Sequence, residues 1–143
     1  DEAKKLSENM FLFEEFLAAE AKAGRITGPI AKSDTRVLLH GHCHQKAFGA
    51  FDATLALLRS LPGAKVEAIE SGCCGMAGAF GYDADHFDIS MQMAELNLLP
   101  AVRASDEHTT IVADGVSCRQ QIRDGSGRKA LHVARVLETA LRS

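Results

Sequence analysis

No apolar run in this 143-residue chain approaches the roughly 20 residues that cross a bilayer as a helix, so no membrane span is expected. A secretory leader is not visible either. The start, Asp1-Glu2-Ala3-Lys4-Lys5, is charged and no compact apolar segment follows it. Basic excess is missing: 16 Lys and Arg face 19 Asp and Glu, a net charge of −3. With no basic stripe, nucleic acid is not an expected partner. Repeats and low-complexity segments are absent. Gly75, Gly78 and Gly81 fall in a G-x-x-G-x-x-G spacing, which is not the dinucleotide fingerprint. The first residue is not Met, as suits a piece of a longer protein. Cysteine is scarce, with four in all. Without a leader, reduced thiols are expected over structural disulfides.

What is present is ordinary for a soluble globular domain, 46% hydrophobic and 24% charged, long enough for one core. The exception is Ser71-Gly72-Cys73-Cys74-Gly75-Met76-Ala77-Gly78. Adjacent cysteines rarely improve packing, because their side chains cannot share one apolar slot. Thiolates do bind soft metals, and glycine lets backbone come close to a bulky group.

Hydrophobic periodicity lays out the scaffold. Ser7 to Ala23 reads as an amphipathic helix, with Met10, Phe13, Leu17 and Ala21 inward and Glu8, Glu14, Glu15 and Lys22 flanking. Ile26 to Asp34 reads as a loop, making residues 1–34 an N-terminal helix and linker packed on a domain of residues 35–143. Strands are expected at Arg36 to His40, Lys65 to Glu70 and Thr109 to Ala113, with a short fourth at Lys129 to His132. Helices are expected at Ala47 to Leu61, with Phe48 and Phe51 inward, at Asp85 to Ala104, kinked or divided by Pro100, and at Val133 to Leu141. Gly125-Ser126-Gly127 reads as a loop. Alternation of strand and helix predicts an α/β fold: a Rossmann-like parallel sheet of three or four strands with helices on both faces.

Such a sheet gathers distant residues. Cys43 follows the first strand, Cys73 and Cys74 the second, Cys118 the third, and His132 ends the fourth. All carboxyl ends of parallel strands share one edge, where open α/β folds bind ligands. His40, His42 and His44 crowd the first loop. A strand continuing that far puts His40 and His42 on one face with Cys43 opposite. Each histidine either tunes or ligates a metal or simply bonds a nearby carbonyl. Several thiolates at one point repel each other and stay protonated unless a cation joins them. The opposite reading is four reduced, partly buried cysteines acting as small apolar residues.

Cys43, Cys73-Cys74-Gly75 and Cys118 resemble the cysteine-rich CCG domain found in heterodisulfide reductase, in the iron–sulfur subunits of glycolate oxidase and anaerobic glycerol phosphate dehydrogenase, and in large FAD-linked oxidases. Cys43-His44 resembles the pair that opens that domain. Asp114-Gly115 with Ser117-Cys118 and Gln121-Ile122 resembles its closing segment, and His132 the histidine before the last helix. Residues 72–81 look most like the fused FAD-linked oxidase branch, including lactate and hydroxyglutarate dehydrogenases. One position departs: Gln121 stands where the fuller pattern has a second cysteine, which argues against a five-thiolate, non-cubane cluster and leaves four thiolates for a [4Fe–4S] cluster or zinc.

The resemblance implies a C-terminal metal or iron–sulfur redox domain of a larger FAD-linked oxidoreductase of 2-hydroxy-acid dehydrogenase type. It implies Cys43, Cys73, Cys74 and Cys118 as ligands, Gly75 and Gly78 as cofactor-binding positions, and His42, His44 and His132 around them. FAD would sit in a domain outside this chain, and the flavin and ferredoxin-like domains of the same parent would be the partners. The fragment alone is not expected to turn over substrate. Its expected location is cytoplasmic, at most peripheral to the membrane through the parent complex. A structural zinc module and a vicinal-thiol redox switch of Cys73 and Cys74 are the alternatives. Asp83, Asp85, His86 and Asp88 read as helix-capping groups, and Met76, Met91 and Met93 as core filler.

Overall fold

The computed structural model describes residues 1–26, 30–32 and 34–142. Much of the expected loop from Ile26 to Asp34 therefore lies outside the described residues, at 27–29 and 33.

The helix expected over Ser7 to Ala23 forms only as α2 (Phe13–Lys22), and its first two residues belong to a separate, unexpected helix, α1 (Glu2–Glu8). Asn9 ends α1 by donating its N–H to Leu6 O at 3.0 Å. Leu12 is extended, and its N–H donates to Glu15 Oε2 at 2.9 Å to restart the helix. Met10 is thereby outside any helix and 69% exposed. Leu17 packs into the core as expected, whereas Glu14, expected on the flank, is buried.

Strand β1 (Arg36–His40) holds the centre of a four-stranded sheet with β2 (Lys65–Ala68), β3 (Thr110–Ala113) and β4 (Ala130–Leu131). The order is β2-β1-β3-β4, and every pairing is parallel. The pleat divides each strand between two layers. Val37, Leu39 and Val112 face one side, against α4 (Phe51–Arg59) and α8 (Val133–Arg142). Leu38, Ile111 and Ala113 face the other. There they meet α6 (Leu98–Ala104) and α7 (Val116–Ser126). The sheet is thus covered on both faces, as expected for parallel strands.

Three local expectations are corrected. The helix expected from Ala47 is split into α3 (Cys43–Ala47) and α4, with Phe48 81% exposed at the break. The helix expected across Asp85 to Ala104 divides into α5 (Phe87–Glu95) and α6 at Leu96 and Asn97, ahead of Pro100. Pro100 lies in the first turn of α6, where its missing N–H has no intrahelical partner to lose. Finally, α7 occupies a stretch with no expected helix, and Gly125 and Ser126 are its last turn. Its polar sequence hides the pattern, because only Cys118, Gln121 and Ile122 are buried along it. A short 3-10 turn (Phe80–Tyr82) bridges the glycine-rich loop and α5.

Candidate metal centre

Chain reversal fixes where a site can form. From β1 the chain crosses to β2 on one side and later to β3 on the other, so the loops after β1 and β3 diverge and leave a crevice at the carboxyl edge. β1 stops at His40 and does not run on to His42, because His42 turns to cap α3: its Nδ1 accepts the His44 N–H at 3.2 Å, and its N–H donates to Gln45 Oε1 at 3.1 Å.

Pleat parity puts His40 on the same face as Leu38, toward α6 and α7, with Ala113 as its neighbour on β3. Cys74 and Cys118 lie in that same layer. Ligand atoms of His40, Cys74 and Cys118 all fall within 4.8 Å of one another, and all three residues are buried. The loops are pinned to each other around them. Lys46 Nζ bonds Ser71 O, tying α3 to the start of the glycine-rich loop. Arg119 Nη1 donates to Ala113 O at 2.9 Å and to Asp114 O at 2.6 Å, fixing the turn that launches Cys118.

Gly75 shows why the doublet is followed by glycine. Its φ is +92°, and a Cβ there would lie 2.1 Å from Ser90 O on α5. Gln121 braces this approach from below, where the fuller pattern has a cysteine. It is buried, and its Nε2 donates to Ser90 O at 3.2 Å and to Ser90 Oγ at 3.0 Å. Gly78 has φ +70°, and a Cβ there would meet no heavy atom within 4 Å, so it serves the turn and cradles nothing in the chain.

All four cysteines are free. Cys43 is exposed at the head of α3, and Cys73 is half-buried, its Sγ accepting the Gly75 N–H at 3.3 Å. The close group takes in Cys74 and Cys118 but neither Cys43 nor Cys73. Cys74 is pulled well below the ordinary thiol range because it accepts the Cys118 S–H, with help from His40 and the Met76 N–H against the cost of burial. Cys118 is pushed far up by that same bond, by burial and by the sulfurs of Cys74, Cys43 and Cys73. Burial raises Cys73 too, and Cys74 and Cys43 push the same way. A proton held between two buried sulfurs is a substitute for a cation.

The expected histidines divide. His42 stays beside the sulfurs: its ring and Cys118 Sγ share the space next to the Gly115 Cα. His44 and His132 line a neighbouring cleft of about 510 Å³ with Phe13, Phe48, Glu14 and Asp114, and His42 borders that cleft as well. There Glu14, Asp114 and His132 form a second close group. Asp114 Oδ2 accepts from Gln45 at 2.8 Å and Oδ1 from the Val133 N–H at 3.0 Å, with His132 Nε2 at 3.7 Å. His132 Nδ1 accepts the Ala134 N–H at 3.1 Å. With Nδ1 accepting, the ring N–H is on Nε2, the nitrogen that faces Asp114, so neither nitrogen offers a free lone pair to a metal. Burial raises the Glu14 carboxyl above its ordinary value of 4.5, and Asp114 adds to that while His132 opposes it.

Sequence reasoning weighed His40 with His42 and His44 but kept it out of the site set, placed Glu14 on a helix flank, and passed over Gln45. Parity along β1 was the available signal for His40. Nothing local marks Glu14, whose burial depends on where α2 docks.

No family model and no solved structure matches the chain. Curated relatives do. The chain is 29% identical over 117 residues to the C subunit of anaerobic glycerol-3-phosphate dehydrogenase of Escherichia coli (strain K12), covering 80% of this chain and 28% of that protein. It is 30% identical over 131 residues to D-2-hydroxyglutarate dehydrogenase of the same strain, covering 90% of this chain and 12% of that protein. With D-2-hydroxyglutarate dehydrogenase of Pantoea ananatis it shares 33% identity over 75 residues, 52% of this chain and 7% of that one. No helix among the described residues is long and apolar enough to cross a membrane. The chain is homologous to a limited stretch of each of these larger dehydrogenases.

Proposed function

We propose that residues 35–143 are a CCG-type cysteine-rich domain, with residues 1–34 packed on it, and that the domain is the metal- or iron–sulfur-binding electron-transfer module of a larger FAD-linked oxidoreductase acting on a 2-hydroxy acid. Cys43, Cys73, Cys74 and Cys118 are its ligands, and Gly75 and Gly78 shape the loop. The meeting of Cys74 and Cys118 in one buried layer carries the reading, since these residues lie 44 positions apart, one in the glycine-rich loop and one in the first turn of α7. Homology to stretches of larger dehydrogenases supports the redox context.

The chain's own part is to hold and shield. Cys74 and Cys118 are buried in the layer built with α6 and α7, and His42 lies beside Cys118 Sγ at Gly115. Exposed Cys43 is where the centre comes nearest the surface. A bound cluster or metal supplies the positive charge that the gathered thiolates require, and an iron–sulfur cluster adds a one-electron couple. The flavin and ferredoxin-like domains of the same parent are the partners, in the cytoplasm or at a membrane surface through the parent complex.

Anaerobic purification with iron, sulfide and zinc analysis tests this. The expected product is brown, contains iron and sulfide, and shows an EPR signal on reduction. Cys74→Ser and Cys118→Ser abolish that loading. A colourless chain with stoichiometric zinc makes the domain a structural module. A metal-free chain that gains a pair of thiols on reduction makes it a thiol switch.

A further inference from the structure

His40 is 1% exposed, and its Nε2 is the one buried side-chain nitrogen or oxygen without a hydrogen-bond partner among the described residues. An orphaned polar atom of that kind costs about 1–3 kcal/mol, so its persistence at a cluster of thiols calls for a use. Its other nitrogen is occupied: Nδ1 lies 2.9 Å from Ser71 Oγ. In the tautomer whose Nδ1–H donates to Ser71 Oγ, Nε2 keeps a free lone pair, and a ring nitrogen of His40 lies within 4.8 Å of the Cys74 and Cys118 sulfurs. That is how metal-bound histidines are held, with one nitrogen on the ion and the other donating to an oxygen.

Resting on the metal-site reading above, we propose that His40 Nε2 is itself a metal ligand, forming with Cys74 Sγ and Cys118 Sγ a buried nitrogen-and-two-sulfur donor set for a borderline-soft ion of the zinc type. Mutual distances within 4.8 Å among the three atoms suit one ion bound at about 2.0–2.3 Å from each. The set is buried where Cys43 and Cys73 are not, and its three donors leave one position of a four-coordinate ion open for one of those two thiolates. Ser71 is then a positioning residue. It is held through its own carbonyl by Lys46, and its hydroxyl sets the ring.

The test is zinc-edge X-ray absorption on the 143-residue chain loaded anaerobically with Zn²⁺, joined to zinc-affinity titrations of His40→Gln and Ser71→Ala. The expected spectrum shows imidazole ring scattering beside the sulfur shell. His40→Gln removes the ring scattering and weakens zinc by more than about 100-fold, and Ser71→Ala weakens it by about 10-fold, the lower end for an outer-shell partner. An all-sulfur shell overturns the proposal and leaves the thiolate centre intact. Failure of the unaltered chain to take up zinc at micromolar concentration also overturns it, while iron and sulfide analysis decides the thiolate centre separately. If His40→Gln does not fold, the spectrum of the unaltered chain decides.

Discussion

Replacing Gly75 by alanine tests whether the doublet's loop is held as tightly against α5 as its backbone implies. The new Cβ would stand 2.1 Å from Ser90 O, 2.9 Å from Ser90 C and 3.1 Å from Gln121 Nε2, at φ +92°. A carbon and a carbonyl oxygen in contact sit about 3.3–3.6 Å apart, so the loop or the helix must retreat by roughly 1.2 Å. Ser90 O is helix backbone with Gln121 bonded to it, so neither side yields freely. Left-handed backbone costs an L-residue about 1–2 kcal/mol, and overpacking adds about 1–3 kcal/mol. The sum, about 2–5 kcal/mol, is a large part of a domain's usual stability of about 5–15 kcal/mol. At about 3–4 °C per kcal/mol for this length, melting falls by roughly 10 °C. Gly78→Ala is the control, with φ +70° but open space, and it should lose only the backbone component of about 1 kcal/mol. Thermal and urea unfolding of both variants, reduced and metal-free, measure the gap. A Gly75→Ala chain that melts with Gly78→Ala, or above it, refutes the close approach.

Gln121→Ala strips two hydrogen bonds from buried Ser90 and should cost about 1–3 kcal/mol, read by urea midpoint. Glu14→Gln should raise the melting temperature at neutral pH. A carboxyl raised by burial, and facing Asp114, His132 and Glu15, binds its proton more tightly folded than unfolded. Its ionisation thus penalises the fold above the raised value, and the benefit of the substitution fades as pH falls toward 4.5. An advantage that persists in acid would contradict this. In the reduced, metal-free native chain a thiol reagent should label Cys43 fastest and Cys73 next. Cys74 and Cys118, 4% and 1% exposed, react only on unfolding, as peptide mass mapping would show.

The sheet was legible because its strands are short apolar runs with both faces covered, and β1 begins and ends where those runs do. Cysteines at the carboxyl edge followed from topology alone. The rest depended on tertiary placement. α7 escaped notice because one turn of burial by Cys118, Gln121 and Ile122 anchors an otherwise polar helix. α2 was read as starting at Ser7 because Met10 stays in phase with Phe13, Leu17 and Ala21 across the break at residues 9–12, and α1, which buries no residue, left no apolar pattern to read. His40 required knowing that β1 stops before His42, and Glu14 that α2 turns a carboxylate inward.

Position in the sheet also sets a timetable. β3 does not join an outer edge next to its predecessor; it slots in beside β1, on the flank left open while β2 occupies the other. A chain leaving the ribosome therefore presents its first histidines, then its paired sulfurs, and must wait for α7 before the last donor arrives. Under the proposed metal centre, ion capture is a late checkpoint that only a completed sheet can pass.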